Sequence, residues 1–221
     1  MKETIAEKID GMLIEIAGEK LSLHADKYLY FVNYNVLVIS DLHLGKMDHF
    51  RKNGVGVPPG LDQNDNEKLA ELLHAIQPDV CVFLGDLFHS DYNDSWELFC
   101  NTLKAFSNIR FVLTVGNHDI LRQDFYTNAA IQLVDKLIIG SIVLSHEAVS
   151  VDTGQYNIHG HIHPGVALRG KGRQHLKLPC FYFGNIRGVM PAFGKFTGLA
   201  SMKKMDGDRI FAITSKALIE V

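Results

Sequence analysis

The sequence predicts an α/β fold that opens with a parallel sheet and closes with a mostly β half. Three observations predict it. Apolar runs at residues 36–39, 80–84 and 110–115 recur with helical patterns between them, and strands alternating with helices imply right-handed crossovers within one parallel sheet. Each run ends in polar side chains, first Asp41 and His43, then Asp86 and His89, then Asn117 and His118. The C-terminal edge of such a sheet is where ligands bind. Beyond Phe125 the helical spacing gives way to short strand patterns, which predict a second sheet packed on the first.

In chain order, residues 1–10 read as a polar lead-in. Residues 12–16, 20–23 and 28–32 are strand-like pieces separated by turns at Asp26-Lys27 and Asn33-Tyr34-Asn35, an antiparallel start. Residues 36–40 form a strand whose apolar run at 36–39 is the pattern of burial on both faces. A helix is expected near 46–53, followed by a Gly/Pro-rich loop from Gly54 to Gly60. Leu69, Leu72, Leu73 and Ile76 fall at helical spacing, with Asp62 or Asn64 as N-cap and Pro78 beyond the end. Residues 79–84 return as a strand, Leu98, Leu103 and Phe106 mark a helix over 94–106, and 110–115 is a third strand. The second half predicts strands at 131–134, 142–145, 156–159, 166–169, 176–183, 187–190, 198–202 and 209–214. No repeat, low-complexity tract or linker divides the chain, so one domain over residues 1–221 is expected.

Composition narrows the partners. A 47% hydrophobic and 21% charged content is that of an ordinary globular protein, and a net charge of −3 provides no global basic field, so any nucleic-acid binding must rest on a local patch. Cys81, Cys100 and Cys180 are odd in number and widely spaced, which suits buried thiols in a reducing compartment. The charged N-terminus lacks a secretory core and no apolar run is long enough to span a membrane, so the expected location is the cytoplasm.

The strand tips carry the chemistry. Asp41, His43, Asp86, Asn117, His118, His146, His161 and His163 come from five segments that the topology brings to one edge. Mixed imidazole and carboxylate donors suit Mn²⁺, Fe²⁺ or Zn²⁺, whereas an all-oxygen set suits Mg²⁺ or Ca²⁺ and thiolates suit structural zinc. Eight side chains are too many for one ion and fit two divalent ions, manganese foremost, sharing a carboxylate.

The ordered set Asp-x-His, Gly-Asp-x-x-His, Gly-Asn-His-Asp, a lone His and Gly-His-x-His resembles the calcineurin-like metallophosphoesterase superfamily from about residue 36 to 165. Asp41-Leu42-His43-Leu44-Gly45-Lys46, Arg51 with Gly54, Pro58-Pro59-Gly60, Gly160-His161-Ile162-His163-Pro164, Pro179-Cys180-Phe181 and Pro191-Ala192-Phe193-Gly194 resemble its ligase-associated DNA-damage-response endonucleases. The resemblance implies a four-layer α/β/β/α sandwich of two mixed sheets flanked by helices. It also implies one ion held by Asp41, His43, Asp86 and His163 and another by Asp86, Asn117, His146 and His161, with Asp86 shared. His118 is then the general acid and Asp119 its orienting carboxylate. The implied substrate is a DNA phosphodiester in repair, with a DNA ligase and a helicase as functional neighbours. A small-nucleotide phosphatase or phosphodiesterase is the alternative enzyme, and a scaffold without chemistry the alternative of another class, although a scaffold has no need of the full ligand set.

Arg51 and His89 are candidate substrate contacts, since a guanidinium after the first tip suits bidentate phosphate binding. The basic run from Arg169 to Lys177 suits either a nucleic-acid backbone or an exposed hairpin tip. His24, His49, His74 and His175 lie outside the motifs and read as structural. Phe181, Tyr182, Phe183, Phe193 and Phe196 read as core rather than as base-stacking groups.

Overall fold

The computed structural model describes residues 11–46, 54, 61–169, 175–195, 197–215 and 217–221. Arg51, His49, Phe196, the tip of the basic run, the loop through Pro58-Pro59-Gly60 and nearly all of the helix expected near 46–53 lie outside them.

The first sheet has seven strands in sequential order: β1 (Met12–Ile16), β2 (Glu19–Leu23), β3 (Tyr28–Phe31), β4 (Val36–Ser40), β5 (Val80–Leu84), β6 (Arg110–Thr114) and β7 (Ile131–Val134). β1 to β4 pair antiparallel, as alternating strands joined by tight turns must. β4 to β7 pair parallel through the helices α1 (Leu61–Ile76), α2 (Asp94–Ala105) and α3 (Gln123–Asn128). The apolar run at 36–39 in β4 is explained by its two neighbours. Leu37 and Ile39 pack with Leu69, Leu73, Phe99 and Leu103 under the helices, while Val36 and Val38 pack with Ile142, Leu144 and Ile158 of the other sheet. Successive side chains point to opposite faces, so a strand with helices on one side and a sheet on the other is apolar at every position.

The second sheet holds β8 (Lys136–Ile139), β9 (Ile142–Ser145), β10 (Tyr156–His159), β11 (Pro164–Arg169), β12 (His175–Phe183), β13 (Arg187–Val189), β14 (Ala200–Ser201), β15 (Arg209–Ile213) and β16 (Leu218–Glu220). Its order is β14-β11-β12-β13-β10-β9-β8, with β15 on β12 and β16 on β15. β9, β10 and β13 run parallel and the rest is largely antiparallel, so both sheets are mixed. The expected α/β fold of two mixed sheets flanked by helices is thus present. All three helices pack on the first sheet; among the described residues the outer face of the second is crossed by loops, including residues 146–155, where the Val149 amide donates to Asn157 Oδ1 at 3.1 Å. Among the described residues no helix is long and apolar enough to cross a membrane.

Several details differ from the sequence reading, among them α3, which no helical spacing marked. α1 begins at Leu61, so Asp62 and Asn64 lie inside its first turns rather than at the cap. α2 is capped by Asn93, whose Oδ1 accepts from Ser95 N. β8 and β16 carry no clear alternation and escape a pattern search. Among the structural assignments, Cys81, Cys100 and Cys180 are free thiols, and His24 is buried with its ring stacked on Tyr28 at 4.0 Å.

Candidate metal centre

The site lies where β4, β5 and β6 of one sheet and β9 and β10 of the other end. Each tip turns sharply, and the turns are unusual in kind. Asp41, His43, Asp86, His161 and His163 all have φ between 49° and 66°, half of the ten non-glycine residues with positive φ among the described residues. Non-glycine residues seldom adopt this region, it costs of order 1–3 kcal/mol at each position, and such strain gathers at functional sites. Backbone bonds hold the turns in place: His43 N donates to Asp86 O (2.8 Å), Leu44 N to Leu87 O (3.0 Å) and His89 N to Leu44 O (2.8 Å), stitching the first tip to the second. Two glycines permit the close approach. A side chain at Gly85 would collide with the His146 ring, and one at Gly160 with Ser40 Oγ and the Asp41 carboxylate.

Two donor groups result. Asp41, His43 and His163 form one, and Asp86, His146 and His161 the other, each with its donor atoms within 4.8 Å of one another. His43 Nε2 stands 3.2 Å from His163 Nε2, and His163 Nε2 stands 3.3 Å from Asp41 Oδ1. In the second group His146 Nε2 is 3.2 Å from His161 Nδ1, 3.1 Å from Asn117 Oδ1 and 3.4 Å from Asp86 Oδ1. Asp86 Oδ2 turns the other way, 3.7 Å from His43 Nε2. One carboxylate therefore addresses both groups.

These separations fit divalent ions. Ligands at roughly 2.1 Å from a metal are about 3.0 Å apart at right angles and about 3.4 Å apart at tetrahedral angles. Tautomers agree. The His146 Nδ1–H donates to Leu84 O at 2.9 Å, which leaves the Nε2 lone pair facing the group, the outer arrangement that metal-ligating histidines keep. His43 turns Nδ1 toward His89 Nδ1 at 3.1 Å and Nε2 inward. Burial, with lesser contributions from Lys46, His163, His89 and His118, brings the His43 imidazole down to about 2, so it is neutral and able to coordinate at any physiological pH.

The two groups differ in exposure. Asp41 is 0% and His43 5% exposed, whereas His161 and Asn117 are open to solvent. Ser40 Oγ donates to Asp41 Oδ2, and the His161 amide donates to both Asp41 oxygens (3.2 and 3.1 Å). Ser40 was not singled out in the sequence, where a serine at a strand end reads as the start of a turn.

His118 reaches the rim through the third tip. Its amide donates to Asp86 Oδ1 (2.9 Å), and its ring stacks on His89 with centroids 3.8 Å apart. His89 thus touches a donor of the first group and the His118 ring together. Asp119 differs from expectation. Its Oδ1 accepts from the Leu87 and Phe88 amides (2.8 and 3.2 Å) and its Oδ2 from Gly116 N (2.8 Å), so the carboxylate ties two tips through their backbones instead of holding the His118 ring. Burial raises its carboxyl to about 6 against the opposing pull of these amides.

A family model described as calcineurin-like phosphoesterase matches residues 34–174. Among solved structures, Pseudomonas putida nuclease MPE is similar over 96% of this chain and 100% of its own, at 27% identity and a TM-score of 0.82. Yfce, a phosphoesterase from E. coli, is 14% identical over 84% of this chain and 97% of its own with a TM-score of 0.44. AQ665 from Aquifex aeolicus, a protein of unknown function, is 22% identical over 58% of this chain and 78% of its own, with a TM-score of 0.42. No curated protein matches the chain. The matched segment contains every donor of the twin groups and covers well over half of the sequence, and the chain therefore belongs to the calcineurin-like phosphoesterase family of metal-dependent phosphoester hydrolases.

Proposed function

We propose that this protein is a dinuclear-metal phosphodiesterase that cleaves DNA. The observation that carries the reading is Asp86, one oxygen directed to each donor group, with the His118 ring on the same rim. Two divalent ions bound there supply Lewis acidity toward phosphoryl oxygens and lower the pKa of water. The chain's own residues do the rest. Asp41, His43 and His163 hold the buried ion, while Asn117, His146 and His161 hold the open one. His118 delivers a proton to the departing oxygen, an effect worth roughly 10²–10⁴-fold in rate, and His89 fixes the plane of its ring by stacking. Asp119 positions the tip on which His118 stands. Arg51 and His89 contact substrate phosphate. The nitrogen and oxygen donor mixture favours manganese, with iron or zinc as alternatives.

Two ions and a general acid serve monoesters and diesters alike, and similarity to a nuclease over 96% of the chain supports a nucleic-acid phosphodiester as substrate. The subgroup motifs support a place in DNA repair, alongside a ligase and a helicase. Digestion of single-stranded, duplex and branched DNA with added Mn²⁺, beside a panel of small nucleotides, tests the proposal. Internal cleavage of DNA is expected. Turnover confined to small nucleotides would overturn the DNA assignment, and absence of turnover on bis-p-nitrophenyl phosphate would overturn the enzyme.

A further inference from the structure

We propose that the exposed face of the β14-β11-β12 end of the second sheet is a nucleic-acid arm rooted on the metal centre, with Lys177 and Lys203 holding phosphates beyond the scissile bond. The inference rests on the DNA reading above and adds where the polymer lies.

Charge is distributed unevenly along the chain. Residues 153–205 contain eight lysines and arginines and no aspartate or glutamate, whereas the remaining 168 residues carry 14 basic against 25 acidic groups, a net of −11. The overall charge of −3 conceals a basic segment inside an acidic protein, which is the local patch that a polyanion requires.

The fold attaches that segment to the centre. β11 starts at the residue after His163, the Ala200 amide donates to His163 O at 2.9 Å, and Met202 N donates to Gly165 O at 2.8 Å. β14 and β11 therefore leave the donor residue His163 side by side and in the same direction. Ala167 pairs with Lys177 across β11 and β12, so their side chains share a face, and both are exposed. The Lys177 ammonium donates to Leu199 O and so lies across β11, beside the segment that is bonded to His163. Lys203 follows two residues after Ser201 and is exposed, with no hydrogen bond or ion pair among the described residues. The Lys177 ammonium, drawn to Leu199 O, lies beside the backbone of His163, whereas Lys203 is three residues beyond the Ala200 that bonds His163, about 10 Å at the strand rise. A polynucleotide at the centre carries phosphates at both distances, because they recur about every 3.4 Å along a strand of duplex. A small diester such as bis-p-nitrophenyl phosphate has no phosphate beyond the one that reacts.

Anisotropy of a labelled phosphorothioate oligonucleotide across a salt series, with the metal-loaded protein, tests the arm. Lys177→Gln with Lys203→Gln should lower the slope of log affinity against log salt by about 1.8 on a duplex or about 1.4 on a single strand, and weaken binding about tenfold or more. Cleavage of DNA should fall at least about tenfold relative to bis-p-nitrophenyl phosphate turnover on the same preparation. The Arg pair at these positions should restore the wild-type slope. Lys104→Gln with Lys136→Gln, on α2 and on the opposite edge of the second sheet, should leave it unchanged. A wild-type slope in the Lys177/Lys203 variant, or equal losses on DNA and on the small diester, refutes the arm while the nuclease reading stands. Wild-type protein that hydrolyses the small diester but neither binds nor cleaves DNA refutes both.

Discussion

The two halves of the centre use the same chemistry on opposite terms. Asp41 and His43 are sealed beneath the tips, with the Asp41 carboxylate saturated by Ser40 Oγ and the His161 amide, whereas Asn117 and His161 stand open to solvent. In the buried half the 161–163 turn folds onto the Asp41 carboxylate, which its neighbour Ser40 also bonds. The open half, in the proposed nuclease, is the side that substrate meets first. A shared Asp86 lets the first half anchor what the second half exposes, and the difference between the halves can be broken by substitution.

The largest effect belongs to the shared group. Asp86→Ala should lose both ions, measured as metal content after desalting, and lose activity beyond the roughly 10- to 100-fold that an outer-shell partner costs. Next, metal loss to a chelator should follow two phases in the wild-type protein, followed by residual metal content against time. Asp41→Ala should abolish the slow phase and His161→Ala the fast one; a single phase in the wild type would mean that burial does not separate the halves. His118→Asn should keep both ions and lower turnover about 10²–10⁴-fold on esters with poor leaving groups, and much less on p-nitrophenyl esters, whose leaving group needs no proton.

The smallest effect is on stability against pH in metal-free protein. His43 is lowered to about 2 and His159 to about 4, each mainly by burial, against an ordinary imidazole value of about 6.5. Between those values the unfolded chain binds the proton and the folded one does not. Their stabilising share is therefore complete above about 6.5 and is lost as pH falls toward about 4 for His159 and about 2 for His43, by up to about 1.4 kcal/mol per pH unit for each group. Asp119, raised to about 6, opposes this below that pH, since its share is complete below its ordinary carboxyl value and lost as pH rises through about 6. Urea midpoints measured from pH 7.5 to 5 should fall with pH, and less steeply in His159→Gln.

Much of this was legible in the sequence because burial and chemistry left unambiguous patterns. β4 occupies residues 36–40 as expected, its apolar run at 36–39 marking a strand buried on both faces and Ser40 closing it. The motif residues converge as expected because parallel strands must deliver their C-terminal tips to one edge. The rest was hidden for physical reasons. Left-handed backbone at Asp41, His43 and Asp86 cannot be inferred from residues that disfavour it; only the tertiary frame imposes it. The family resemblance implied that Asp119 orients the His118 ring, yet the turn swings its carboxylate onto the amides of Leu87, Phe88 and Gly116. β8 escaped because Lys136 and Ile138 point to solvent from a four-residue strand, too short for a period to emerge.

Asp86, in the proposed enzyme, joins two ions in one centre. Low-temperature electron paramagnetic resonance of the protein loaded with Mn²⁺ tests it most directly, because a carboxylate shared between ions roughly 3.5–4 Å apart couples their spins. The account predicts the dense multiline spectrum of an exchange-coupled pair in the wild-type protein and its disappearance in Asp86→Ala. A wild-type spectrum made only of isolated Mn²⁺ signals at two ions per chain would contradict it.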